Sequence, residues 1–270
     1  IDEFGFPIGY GKNNQSVLIP AFISAYSGKG PESISLNAIS KTPLPSWSIS
    51  YSGLMNFDFI KERFKRFSLG HAYRSSYTLN NFKSNLEYNP DNTQLKDDSG
   101  NYINEILYTN VNLVEQFNPL LKVDMELNNS LQIVMSLKKD RALSLSLDNN
   151  LLTESSGTDY SIGLGYRIKD LKFTNRVGGK RRVSKGDLNI KTDLNFRDNI
   201  TIIRNLNILD NKVTAGQNMW SLKTSADYNL SKSFNAIFFY DHLFSKFAIS
   251  TAFPMTTIRA GMTLRYSFGE

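Results

Sequence analysis

Arg259-Ala260-Gly261-Met262-Thr263-Leu264-Arg265-Tyr266-Ser267-Phe268 is the stretch whose reading decides the fold. Side chains of a strand alternate between faces with period two. Ala260, Met262, Leu264, Tyr266 and Phe268 therefore share one face, while Arg259, Gly261, Thr263, Arg265 and Ser267 share the other. An apolar face ending in aromatics and a polar face containing a glycine predict a strand over 259–268 with water on one side only. Two settings offer that environment: the edge of a soluble antiparallel sheet, or the wall of a membrane barrel.

The same alternation runs back through most of the 270 residues. Residues 1–46 do not alternate. Pro7, Gly9, Gly11, Pro20, Gly28, Gly30, Pro31, Pro43 and Pro45 punctuate them. They read as an irregular Pro/Gly-rich opening segment with one short helix after Pro20. Residues 47–270 read as strands and turns. Trp47 to Gly53 is a short strand, and the amphipathic, basic run Phe57 to Phe67 is a short helix or lid. A long strand marked by Phe67, Leu69, His71, Tyr73, Ser75, Tyr77 and Leu79 follows. After the turn-rich cluster Asn89 to Asn101 comes a strand over Tyr102 to Glu115, closed by Asn118-Pro119.

Leu121 to Leu127, Leu131 to Leu137 and Leu143 to Leu147 alternate next, with turns expected at Asn128-Asn129 and at Lys138-Lys139-Asp140-Arg141. Tyr160 to Ile168 leads into a basic loop, Lys169 to Lys185. Leu188 to Phe196 and Ile200 to Ile208 flank a turn at Asp198-Asn199. Asn218 to Leu230, Phe234 to His242 and the terminal strand complete the pattern. Turns this short force antiparallel neighbours. The reading is an all-β, up-and-down meander of about twelve strands.

Composition bounds the setting. No run approaches 18 apolar residues, so no transmembrane helix is expected. A mean hydropathy of −0.32 suits either a soluble sandwich or a barrel, whose lumen-facing residues are polar. The absence of cysteine excludes disulfides and thiolate metal sites. The chain opens Ile1-Asp2-Glu3-Phe4, with neither initiator methionine nor signal peptide, and reads as processed, trimmed or a fragment. In the strand from Asn218, Trp220, Leu222, Thr224, Ala226 and Tyr228 make an apolar face with aromatics at both ends. Met219, Ser221, Lys223, Ser225, Asp227 and Asn229 make a polar one. A sandwich strand would also alternate; the terminal pattern, the many hairpins and the all-β reading together favour an antiparallel transmembrane β-barrel. If the C-terminus is periplasmic, the turns Ser231-Lys232-Ser233 and Asp198-Asn199 lie there too. The loops Lys169 to Lys185, Leu209 to Gln217 and Leu243 to Thr256 then lie outside. The same count puts the long Asn89 to Asn101 loop on the periplasmic side, where long loops are not expected.

Candidate chemistry is sparse. His71 and His242 are the only histidines, and no nucleophile elbow accompanies them, so both read as lumen or surface residues. Gly163-Leu164-Gly165 lies inside a strand and is no phosphate loop. Asp97-Asp98-Ser99-Gly100 lacks the ligand spacing of a calcium loop and reads as a solvated turn. Gly178-Gly179-Lys180-Arg181-Arg182 has no interleaved aromatics for stacking bases, so an external loop near lipopolysaccharide phosphates is preferred to nucleic acid. No catalytic residue, cofactor site or metal site is expected.

The terminal strand resembles the assembly signal of bacterial outer-membrane barrels, carried by Arg259, Gly261, Leu264, Tyr266 and Phe268. A wider resemblance covers nearly the whole chain in order. It is carried by Val17-Leu18-Ile19-Pro20-Ala21-Phe22 with Ala25-Tyr26-Ser27-Gly28-Lys29, Pro43-Leu44-Pro45-Ser46-Trp47 and Gly70-His71-Ala72-Tyr73-Arg74-Ser75-Ser76-Tyr77. Glu115-Gln116-Phe117-Asn118-Pro119-Leu120, Leu143-Ser144-Leu145-Ser146-Leu147 and Ile162-Gly163-Leu164-Gly165-Tyr166-Arg167 continue it. Arg197 to Arg204, Thr214-Ala215-Gly216-Gln217 and Ser250-Thr251-Ala252-Phe253-Pro254 complete it. Together these segments resemble the C-terminal region of the SprA/Sov family, the outer-membrane translocon of the type IX secretion system of Bacteroidota. The resemblance implies one wall segment of a much larger single-chain barrel in the outer membrane, exporting folded cargo proteins without catalysis. It also implies a lateral opening with an outer-membrane partner barrel, a periplasmic plug protein, and contact with outer-membrane lipid and lipopolysaccharide. A small free-standing porin or barrel enzyme is the alternative.

Overall fold

The computed structural model describes residues 8–27, 30, 44–177, 180–229, 234–249 and 253–268. Nine antiparallel strands form one sheet in sequence order: β1 (Ser46–Tyr51), β2 (Phe64–Ser84), β3 (Ile106–Leu127), β4 (Leu131–Ser146), β5 (Leu151–Val177), β6 (Lys180–Asn205), β7 (Asp210–Asn229), β8 (Phe234–Phe247) and β9 (Met255–Tyr266). The all-β antiparallel meander read from the sequence is therefore present. The count of about twelve is not.

Three expected turns are strand interior, and removing them turns twelve strands into nine. Asn118-Pro119 lies within β3, at a bulge between the pairs Phe117↔Lys139 and Leu121↔Leu137. Two extra residues there let Pro119, which has no N–H, leave the ladder. Lys138 to Arg141 lies within β4, and Asp198-Asn199 within β6. The physical reason is common to all three. Phe117, Lys139, Thr158, Asp198 and Asn218 fall on one register row that crosses β3 to β7. This row is where one face of the sheet changes from apolar to polar. Read along a single strand, a polar stripe running across the sheet has the composition of a turn.

Sidedness changes with the count. The 85–105 connection now lies at the end of the sheet opposite the C-terminus, together with the β6–β7 and β8–β9 connections. The Lys169 to Lys185 segment is not a loop at that end. β5 and β6 run through it, and their connection lies at the C-terminal end. The loops expected over 209–217 and 243–256 are also shorter, because β7 begins at Asp210, β8 ends at Phe247 and β9 begins at Met255. Ser231-Lys232-Ser233 and Gly178-Gly179 lie outside the described residues.

The opening segment holds one helix, α1 (Gln15–Ser27), which starts before Pro20 and runs through it. Asn14 caps it, its Oδ1 accepting the Ser16 N–H at 2.8 Å. An interior proline costs about 3 kcal/mol. Burial of Val17, Ile19 and Phe22, at about 1.5–3 kcal/mol each, exceeds that cost. Ile19 and Phe22 pack with Val111, Leu113, Leu143, Leu145 and Leu152 into the buried cluster of the molecule. Between β1 and β2 the expected short helix is a 3-10 turn over Gly53–Asn56 followed by α2 (Asp58–Lys61).

Candidate functional site: an apolar belt backed by a polar face

The cross-strand register places side chains on faces without ambiguity, because opposed residues share a face. One face carries Tyr160, Ile162, Leu164 and Tyr166 of β5 and Ile190, Leu194 and Phe196 of β6. Trp220, Leu222, Ala226 and Tyr228 of β7, Phe238 and Tyr240 of β8, and Ala260, Met262, Leu264 and Tyr266 of β9 continue it. Apart from Tyr228, which is buried, these residues are not a core. Tyr160 is 51 % exposed, Leu194 44 %, Met262 54 % and Leu264 54 %. An apolar surface spanning five adjacent strands far exceeds the patches a soluble monomer leaves in water.

Aromatic rings border this belt. Trp47, Tyr73 and Phe117 stand side by side at 4.7 Å between centroids. Further along, Tyr160 meets Phe196 at 6.2 Å and Trp220 meets Phe244 at 6.1 Å. The other border holds Tyr166, Tyr228 and the pair Phe234–Tyr266, 6.4 Å apart. Trp220 and Tyr228 are eight positions apart on β7. That is about 26 Å of strand, or about 20 Å after a tilt of about 40°, close to the ~25 Å lipid-facing band of membrane barrels.

The opposite face is polar and laced with ion pairs: Arg66–Asp124 at 3.0 Å, Arg197–Asp159 at 3.4 Å and Arg259–Asp241 at 2.9 Å. Lys223 sits opposite both Asp193 and Asp241. Beyond the belt, toward α1, the first face also becomes charged. Arg141 donates to Glu115, Tyr73 donates to the same carboxylate at 3.0 Å, and Arg204 donates to Glu154 at 2.7 Å. α1 covers this cluster, with the Tyr26 ring 5.3 Å from the Arg141 guanidinium. Burial and the Glu154 charge push the Tyr26 hydroxyl up, against the opposing pull of Arg204 and Arg141.

The terminal-strand residues fall where alternation predicts. Ala260, Met262, Leu264 and Tyr266 are paired with Tyr240, Phe238, Ala236 and Phe234 on the belt face. Arg259 reaches Asp241, and Gly261 lies beneath the Phe239 ring. Phe268 is past the end of β9 and 92 % exposed, touching only the Tyr266 ring, edge-on at 4.7 Å, among the described contacts.

The histidines do not meet. His71 is on β2, between Trp47 and Phe117, its Nδ1 donating to the Leu120 carbonyl at 2.6 Å. His242 is on β8 against Trp220, 4.5 Å between ring centroids, six strand positions away. The Asp97 turn is closed on itself: its Oδ1 accepts the N–H groups of Ser99 at 2.9 Å and Asn101 at 2.8 Å. Gly163 and Gly165 lie in β5 opposite Val134 and Gln132. Among the described residues no group of three His, Asp or Glu stands close enough to hold a metal ion.

Sequence reading found the belt strand by strand but missed the charged cluster under α1. Its members, Tyr26, Glu115, Arg141, Glu154 and Arg204, come from distant stretches, and no spacing links them. No protein-family model matches the chain, and no curated protein is significantly similar to it.

Proposed function

We propose that this chain forms part of the wall of a protein-conducting β-barrel in the bacterial outer membrane, as in the type IX translocon that its sequence resembles. The observation that carries the reading is one sheet with an exposed, aromatic-bordered apolar belt on one face and ion-paired polar residues on the other. In a barrel these become the lipid-facing and lumen-facing surfaces. Among the described residues β1 and β9 pair with β2 and β8 alone. A barrel closed from nine such strands would have an interior little more than filled by its own side chains. An export channel for folded cargo needs many more strands, so the remainder of a larger barrel completes the wall. On this reading the partners are secreted cargo proteins in the lumen, outer-membrane lipid on the belt, a partner barrel at a lateral opening and a periplasmic plug protein.

Cryo-electron microscopy of the native particle extracted in detergent tests this directly, by counting the strands around the barrel that contains β1 to β9. Many more than nine, with β9 hydrogen-bonded to sequence outside this chain, is the expected result. β9 pairing with β1 in a barrel of about nine strands would make the protein a small pore and discard the translocon.

A further inference from the structure

β5 and β6 outrun their neighbours at the C-terminal end of the sheet. β4 pairs with β5 only as far as Tyr166, and β7 pairs with β6 only from Leu188. At the base of the extension Gly186 lies so close to β7 that a Cβ there would collide with the Asn229 carbonyl oxygen. Beyond it, Lys172 to Val177 and Lys180 to Lys185 pair only with each other. They form a two-stranded ribbon of about 20 Å with both outer edges free among the described residues. Such a ribbon is marginally stable alone, and its unpaired backbone is a template for another strand.

Its charge is unusual in amount and in placement. Residues 172–185 contain Lys172, Arg176, Lys180, Arg181, Arg182 and Lys185 and no Asp or Glu. Those six account for the entire net charge of +6, because the other 25 Lys and Arg equal the 25 Asp and Glu. The register sets Lys172 opposite Lys185 and Arg176 opposite Arg181. Like charges directly opposed destabilise a strand pair. The two register positions are four residues apart along each strand, or about 13 Å of backbone. Elsewhere the sheet does the reverse, opposing Glu115 to Arg141, Asp159 to Arg197 and Asp241 to Arg259. An exposed Lys172–Lys185 pair in the least supported part of the sheet, within a stretch that has no acidic residue, calls for anions from outside.

We infer that this ribbon is a docking arm for an acidic, extended protein segment, which adds as a further strand and sets a carboxylate against Lys172 or Lys185. Strand addition satisfies the free backbone edge, and a carboxylate offsets the repulsion between Lys172 and Lys185. The inference rests on register and charge alone and holds whether or not the sheet spans a membrane. It differs from the reading of Lys169 to Lys185 as a loop, because β5 and β6 run through that segment.

The test is fluorescence anisotropy on the purified full chain in detergent, with a short labelled Thr/Val-rich peptide carrying Glu residues. Binding is expected to weaken as salt rises and to fall about tenfold or more in Lys172→Gln/Lys185→Gln, whose fold is checked by circular dichroism. The same peptide N-methylated at alternate backbone nitrogens should lose a similar factor, because it cannot enter a ladder. Equal binding by native protein and variant, or by the plain and methylated peptides, overturns the inference. So does binding, lost in the variant, to phosphatidylglycerol vesicles or a single-stranded oligonucleotide when the peptide does not bind.

Discussion

The Phe239 ring lies across Gly261 on the neighbouring strand, so close that a Cβ at position 261 would come within 2.7 Å of it. The pair sits on the polar face, one step from the Arg259–Asp241 ion pair. Gly261 is therefore a seat for an aromatic ring and not a flexible point. Because the nearest atoms belong to the far end of a movable ring, Gly261→Ala is expected to cost about 1 kcal/mol, the low end for overpacking. Gly186→Ala meets the Asn229 backbone and should cost more, about 2–3 kcal/mol. Urea unfolding of the two variants checks the order; an equal or reversed cost would contradict the register at one of these sites.

Leu222 stands in the belt, opposite Leu194 and His242, and Lys223 stands behind it between Asp193 and Asp241. On the proposed barrel reading, Leu222→Arg should destabilise the sheet in lipid by about 2–4 kcal/mol, the cost of an arginine at mid-bilayer. Lys223→Ala should cost well under that, since exposed charge pairs contribute about 1 kcal/mol or less. Equilibrium unfolding from lipid vesicles distinguishes them, and a tolerated Leu222→Arg would exchange the two faces.

Phe268→Ala removes an aromatic that supports nothing described but the Tyr266 ring. Equilibrium stability should be nearly unchanged while, on the proposed reading, insertion into the outer membrane slows. A variant that assembles at the native rate would remove Phe268 from the assembly signal.

Partial burial pushes the Asp97 carboxyl up, but hydrogen bonds from Asn101, Ser99 and Gly100 outweigh it and hold its pKa below the ordinary 3.8. A depressed carboxyl pKa gives stability that is present above the unfolded value and lost as pH falls through the folded one. The 85–105 connection should thus stay pinned at neutral pH and loosen only below about pH 4. Asp97→Asn should loosen it at every pH, seen as faster proteolysis within 85–105. A carboxyl titrating at or above its ordinary value by carbon NMR would contradict this account.

The strands were legible because the sheet has one apolar face, and period-two alternation is then written into every strand. Strand ends were not, for an identifiable reason. Asn118-Pro119, Lys138 to Arg141 and Asp198-Asn199 are polar because the surface they lie on turns polar at that level, a property of the sheet that a single strand does not reveal. The basic segment from Lys169 had the converse fault: charged and glycine-punctuated, it read as a loop although both its sides are ladder. The ion-paired cluster beneath α1 was invisible for a third reason. Glu115, Arg141, Glu154 and Arg204 become neighbours only once four strands have been set in register and a helix laid over them. The terminal strand was the easiest element to place, since one ladder supports it and its pattern carries no second constraint.

Among the described residues each strand of the sheet is adjacent in space only to those adjacent in sequence. A wall built this way has no keystone. A hairpin gained or lost at an edge leaves every existing ladder intact, so gene duplication and deletion can adjust the circumference in steps of two strands. If the sheet closes as proposed, the width of its barrel is a matter of how many times a simple unit is repeated, and selection can act on that number without redesigning any single strand.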